Sequence, residues 1–344
     1  AYPNWAPPLK SDVLEMLDKT RHPFYEHGDR ELFLACREDQ VVGRIAAIVD
    51  VGHNEHHGEK QGSWGFFECA DDTEVAHALF DAVKEYHLEG GAQFLRGPVN
   101  PSLNFEAGLL VKGFELPAVI GGPFNPPYYA RLIEDYGFTK EKDLYMWRRS
   151  SWSQKPKPRK RKPRKKDTED LRIRTFDMNR FDEEVALITK LFNGAWKDNW
   201  GFTPMTLEEM TWIANHSKDI FDPELCIFVE HKGEAKGFGL ALPDVNVLLR
   251  KLNGSIGIGG VIAALRQGNK YPGIRFILAG LLPSLRAGAS HILVFKYIEE
   301  KIRKEDYKYM EEGWVLEDNK IVNLFLKKSG STHAKTYRLY RQEL

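Results

Sequence analysis

The chain runs through one order of elements twice, and this constrains its fold more than any other feature. Leu32–Arg37 leads through a polar turn into Val41–Ile48, and far downstream Leu225–Glu230 leads through Lys232-Gly233-Glu234 into Ala235–Leu240. Apolar runs punctuated by turn residues predict a β-hairpin in each place, with Gly43 corresponding to Gly237. A strand and an amphipathic helix follow in both halves. The strands are Trp64–Glu68 and Ile274–Ala279; the helix stripes are Val75, Leu79, Val83, Tyr86 and Val294, Ile298, Ile302. Short strands around Gly97 and Gly313 come next. Each half then closes with a helix, a turn glycine (Gly137, Gly330) and a last strand. Such order predicts a duplicated α/β domain, an α+β mixed sheet with helices on its faces.

Between the repeats, Lys155–Lys166 is almost wholly Lys, Arg and Pro. Like charges repel, proline denies helix and nothing apolar is there to bury, so 151–169 reads as a solvated linker between domains 1–150 and 170–344. The 344 residues, 42% hydrophobic, supply two cores, and zero net charge argues for no polyanionic partner. Cys36, Cys69 and Cys226 form neither a disulfide framework nor a zinc-binding spacing, which suits a reducing cytoplasm. No run of about 18 uncharged apolar residues occurs, so no transmembrane helix is expected, and Ala1–Pro8 lacks a basic segment followed by an apolar one, so it is not expected to be a signal peptide. The opening Ala1–Pro8 reads as a chain entering mid-fold, an initial strand and helix having been left off.

This order of elements resembles the GNAT (GCN5-related N-acetyltransferase) superfamily. Within Glu317–Gly330, the residues Asn319, Val322, Phe325 and Gly330 match that family's Asn-x-x-Ala-x-x-Leu-Tyr-x-x-x-Gly-Phe motif, while Leu326 and Ser331 replace its tyrosine and final phenylalanine. Leu285–Ser290 is similar to its pyrophosphate loop, keeping Gly288 but with Leu285 in the leading basic position and Arg286 one place later. Gly43–Ala47, Gly65–Glu68, Asn125–Tyr129 and Trp314–Asn319 extend the likeness to bacterial tandem acyltransferase-like proteins, whose relatives include bacterial ceramide synthases. The resemblance implies two tandem GNAT-like acyl-CoA N-acyltransferase domains. The co-substrate is then acetyl-CoA or a longer acyl-CoA, bound by Leu281, Leu282, Arg286, Ala287, Gly288, Ala289, Ser290 and Asn319.

Read physically, a helix start leaves N–H groups unpaired, and small residues at 287–290 let a diphosphate approach them, with Arg286 adding charge. In the first half the equivalent turn, Glu68–Glu74, carries carboxylates that would repel a phosphate, and Asp71 or Asp72 reads as a helix cap. The second half is therefore the expected active one. Strand alternation puts Glu311 on the face of Gly313, making it the candidate base; Tyr337 and Tyr340 are candidate acids for the thiolate. Asn319 reads equally as the cap of the helix after it.

His53-Asn54-Glu55-His56-His57 has ligand-type residues but no second cluster, so it reads as a solvated loop and no metal is expected. The expected acceptor is a small-molecule or lipid amine. Peripheral contact with the inner membrane face would run through 155–166 or the apolar, base-flanked segment 247–270. The linker lacks interleaved aromatics, so nucleic acid is not an expected partner. Two alternatives remain: a non-catalytic acyl-CoA-binding protein, consistent with Leu285 and Leu326, and an aminoacyl-tRNA-dependent transferase.

Overall fold

The computed structural model describes residues 2–150, 170–256, 271–286 and 290–344; the predicted linker and residues 257–270 of the second-half segment lie outside these. Helix α1 (Lys10–Met16) precedes the first hairpin, β1 (Gly28–Arg37) and β2 (Gln40–Asp50), paired antiparallel from Gly28↔Asp50 to Arg37↔Gln40. Then come α2 (Val51–His57), β3 (Gln61–Cys69), α3 (Thr73–Glu89) and β4 (Phe94–Gly97). Three short strands follow, β5 (Val99–Asn100), β6 (Glu106–Ala107) and β7 (Leu109–Lys112), before α4 (Tyr129–Asp135) and β8 (Thr139–Arg149).

The second half adds β9 (Leu171–Thr175), α5 (Phe181–Trp196) and α6 (Leu207–Ser217) ahead of its hairpin, β10 (Cys226–His231) and β11 (Glu234–Pro243). It continues with α7 (Asn246–Leu252), β12 (Gly273–Leu281), the single turn α8 (Pro283–Arg286), α9 (Ser290–Lys304), β13 (Tyr309–Leu316), α10 (Lys320–Ser329) and β14 (Thr332–Glu343). The predicted stripes are buried: Val75, Leu79 and Val83 of α3, and Val294, Ile298 and Ile302 of α9. α3 begins where Asp72 accepts from the amides of Glu74 and Val75, and α6 begins with a reciprocal capping box between Thr206 and Glu209. Asp72→Ala should cost about 1 kcal/mol of stability, read as a lower urea midpoint with an unchanged slope; an unshifted midpoint would mean the cap contributes nothing.

The halves share one sheet, in the order β1-β2-β3-β4-β14-β8-β13-β12-β11-β10-β9, with β7 also on β14. The closing strands are exchanged. β8, from the first half, pairs with β13 of the second; β14, from the second, pairs with β4 of the first; and the two pair with each other. The exchange turns what would be two exposed edges into interior strands. Around this sheet, α3 and α4 cover one face of the first half, while Phe24, Leu110, Val119 and Tyr337 fill a second core on the other. In the second half α9 packs on Ile274, Phe276 and Met310, and α5 with α6 packs on Cys226, Phe228 and Phe238.

The histidine segment departs from the solvated loop expected. It forms α2, capped by Asp50 through the amide of His53, and it docks against the second half. His53 is buried with Nδ1 2.8 Å from the Thr203 hydroxyl, and His57 Nε2 lies 2.7 Å from the Phe202 carbonyl. These imidazoles fasten the halves together; no cluster of three or more metal-ligating side chains occurs among the described residues.

Candidate active site

In each half two parallel strands pair briefly and then part. β3 meets β4 only over Gln61–Ser63 with Phe94–Arg96, and β12 meets β13 only over Gly273–Phe276 with Tyr309–Glu312. The strand leading into each parting point also breaks register with its hairpin neighbour, between Arg44 and Ala46 and between Leu240 and Ala241. The first opening is closed from within. Asn100 accepts from the Phe66 amide at 2.6 Å, Tyr129 accepts from the Cys69 amide at 2.9 Å, and Tyr128 donates to the Cys69 carbonyl at 2.8 Å. Gly65 is essential to that closure: a Cβ there would stand 1.6 Å from the Val99 carbonyl oxygen. With Asp72 on the amides that open α3, the first half has used its own polar groups on itself.

At the second parting point the strands bring together groups far apart in sequence. Glu311, fully buried, lies opposite Arg275 of β12 and Arg148 of β8. Its carboxylate accepts from Arg148 at 2.6 Å and from the equally buried Lys335 of β14 at 2.7 and 3.0 Å. The register of β13 shifts between Glu312 and Val315, which breaks the expected alternation: Val315 packs with Trp147 and Leu326, whereas Glu311 lies with Arg148, and its oxygens hold two cations. A general base needs a lone pair turned to the substrate, so charge balance is the role this geometry supports. Burial pushes the Lys335 ammonium below its ordinary range, against the pull of Glu311. Beside this group Tyr309 donates to the buried Asp244, whose carboxyl burial pushes up.

The neighbouring Glu312 is the carboxyl with near-neutral proton affinity. It is 2% exposed, accepts from the Ser331 hydroxyl and is pushed up to about 7 by burial. Ser331, which replaces the family's final phenylalanine, thus has a partner the sequence did not suggest.

The two candidate tyrosines part company. Tyr337 lies at the seam, fully buried, its ring centroid 5.8 Å from that of Trp314, and burial pushes its hydroxyl pKa up. Tyr340 belongs elsewhere: it pairs opposite Gly97, packs in the core of α3 and α4, and donates to Glu134 at 2.9 Å. The strand exchange carries it into the first half, away from the second parting point, so its candidacy as an acid falls. Asn319 caps α10, its carboxamide oxygen accepting from the Val322 amide at 3.2 Å. Leu282 donates its amide to the Lys236 carbonyl at 2.9 Å, and Leu281 pairs opposite Gly237. Leu285 is buried in the α9 core. Ala287, Gly288 and Ala289 lie outside the described residues, as do the side chains of Arg286 and Ser290.

Arg275 escaped the sequence reading, although a signal existed: an arginine inside the apolar run Ile274–Ala279 is out of place in a buried strand unless something holds it. Lys335 and Arg148 gave no such signal, since their partner Glu311 is remote in sequence.

No family model matches the chain. Over 99% of its length it is 33% identical to a protein named bacterial ceramide synthase from Caulobacter vibrioides, covering 91% of that protein. It is 30% identical, also over 99% of its length, to Protein YghO of Escherichia coli, covering 89% of it. Among solved structures it superposes on a tandem GNAT protein from the clavulanic acid biosynthesis pathway with a TM-score of 0.57 at 13% identity, covering 99% of this chain and 90% of that one. A GCN5-related N-acetyltransferase from Sphaerobacter thermophilus gives a TM-score of 0.53 at 13% identity, with 91% and 80% covered. At such identity these structures share the fold alone.

Proposed function

Because the chain belongs to the acyltransferase family of the Caulobacter ceramide synthase and YghO, and has the tandem GNAT fold, we propose that its second half transfers an acyl group from a CoA thioester to an amine. The nitrogen–carbon bond forms, the carbon–sulfur bond breaks, and the proton lost by the amine ends on the released thiol. The observation that carries this reading is the contrast between the two helix starts. The Asp72 carboxylate occupies the amides that open α3, whereas the chain leading into α9 reads Ala287-Gly288-Ala289, with no acidic side chain to compete with a diphosphate. The first half then serves as a wall of the acceptor site, since its segment around Ile120 touches Arg275.

A long-chain or lipid amine is the acceptor class we favour, by kinship with the ceramide synthase. No helix among the described residues is long and apolar enough to cross a membrane. We place any contact with a bilayer at the cytoplasmic face, peripherally, through segment 247–270, of which Arg250 and Lys251 at the end of α7 are described and 257–270 are not. Segment 155–166, the other proposed contact, lies outside the described residues.

Gly288→Glu should weaken acyl-CoA binding at least about tenfold by calorimetry, through charge repulsion and loss of backbone approach. Undiminished binding would remove the site assignment. One observation favours a second reading, acyl-CoA binding without transfer: Leu326, in place of the family tyrosine, is buried against Trp147 and Val315 and offers no proton to a thiolate. Free thiol released from acyl-CoA plus a long-chain amine decides between the two.

A further inference from the structure

We propose that the outward face of α10 is a docking surface for an anionic lipid bilayer, so that lipid substrates reach the parting of β12 and β13 from a membrane rather than from water. This rests on the lipid-substrate reading above and adds a contact beyond segment 247–270.

α10 is fixed from one side. Asn319 caps its start, and Asn323 accepts from the Trp147 indole N–H at 2.9 Å while donating to the Leu316 carbonyl at 2.9 Å. Leu326 is buried, and the Phe325 ring centroid lies 4.5 Å from that of Phe295. The opposite side faces water. Ile321 is 84% exposed and Leu324 51%. With Lys328 they follow at the helical spacings of three and four residues, so they share one stripe. Lys320 and Lys327 flank that stripe, and all three lysines are exposed. No acidic residue occurs within Lys320–Ser329. The carboxylates just before it are already taken, Glu317 by Lys140 at 2.6 Å and Asp318 by Lys142 at 2.8 Å.

A helix face meant for water carries polar groups opposite the buried stripe, commonly with charges of both signs. Here the outer face is aliphatic and basic, the combination that settles at the boundary between head groups and acyl chains. The aliphatic side chains enter the acyl region while the lysine stems carry their ammonium groups back to lipid phosphates. With zero net charge the chain has no general attraction to a polyanion, so the pull is local to this face. A second copy of the chain fits it poorly, because a two-fold contact would set these lysines against themselves. The position suits delivery of a lipid. α10 directly follows β13, which runs on to Leu316 past its last pairing with β12 at Glu312, so the helix begins at the open end of the parting.

The test sediments the full chain with vesicles of phosphatidylcholine alone, and of phosphatidylcholine with phosphatidylglycerol at about 3:1. Two double variants isolate the face: Ile321→Ser with Leu324→Ser, and Lys327→Gln with Lys328→Gln. The parent should bind the anionic vesicles at least about tenfold more tightly than the neutral ones, and each variant should bind the anionic vesicles at least about tenfold more weakly than the parent. Both variants should keep the parent's melting temperature, since the replaced side chains are exposed. Thiol release should then divide. With long-chain substrates in neutral detergent micelles the variants match the parent; with the same substrates in anionic vesicles their KM rises while kcat holds. A parent that does not distinguish the two vesicles overturns the surface. So does equal vesicle binding by the parent and the Ile321/Leu324 variant, which gives the contact to other segments and leaves the transferase reading intact. A dimer seen by light scattering and lost in that variant, with vesicle binding unchanged, gives the face to a second copy and likewise overturns it. If vesicle binding depends on α10 but no amine releases thiol, the surface stands and the transferase reading fails by itself.

Discussion

Glu311→Leu should lower the unfolding free energy by about 3–5 kcal/mol, because it strands a cation that has nowhere else to go. Lys335 is fully buried and its ammonium donates both short bonds to Glu311, at 2.7 and 3.0 Å. Arg148 loses the same partner but is 19% exposed in its side chain and can turn to water. A lone ammonium in that interior must either stay charged at a desolvation penalty or give up its proton, and both destabilise the fold. Adding Lys335→Met should recover most of the loss, since removing both charges leaves apolar groups of similar volume. Chemical denaturation of the two single variants and the double variant measures the coupling; additive losses would show that the ion pair contributes nothing of its own. The double variant also asks about chemistry. If it is stable and still releases thiol, Glu311 balances charge and is not the base.

The second large effect is one of pH. Burial pushes the Glu312 carboxyl up to about 7 from its ordinary 4.5, with the Ser331 hydroxyl and the Arg149 charge pulling the other way. The folded chain therefore holds this proton more tightly than the unfolded chain does. The resulting stabilisation is complete below pH 4.5 and is lost as pH rises through 7. Glu312→Gln keeps a neutral, hydrogen-bonding side chain at every pH. It should match the parent near pH 4.5 and exceed it at pH 8 by on the order of 3 kcal/mol. Urea unfolding at pH steps from 5 to 8 follows the difference, and a gap that does not widen with pH would remove Glu312 as its source.

Much of this molecule is local, and local features could be read from sequence. The hairpins around Gly43 and Gly237, the buried stripes of α3 and α9, and the caps at Asp72 and Asn319 each depend on residues within a few positions of one another. The contrast between a self-occupied helix start in the first half and small residues at 287–289 is likewise written in adjacent residues.

What the sequence could not decide was which strand lies beside which. β8 and β14 would alternate in the same way whether each closed its own half or the other, so nothing local records the exchange that moves Tyr340 to the first core and brings Lys335 over Glu311. For the same reason, neither the partners of His53 and His57, which lie in the second half, nor the packing of Arg275 and Tyr337 against Trp314 could be read along the chain. Spacing along a chain specifies helices, turns and caps because their hydrogen bonds close over a few residues; a charge buried in a sheet finds its counter-charge only once distant strands have taken their places.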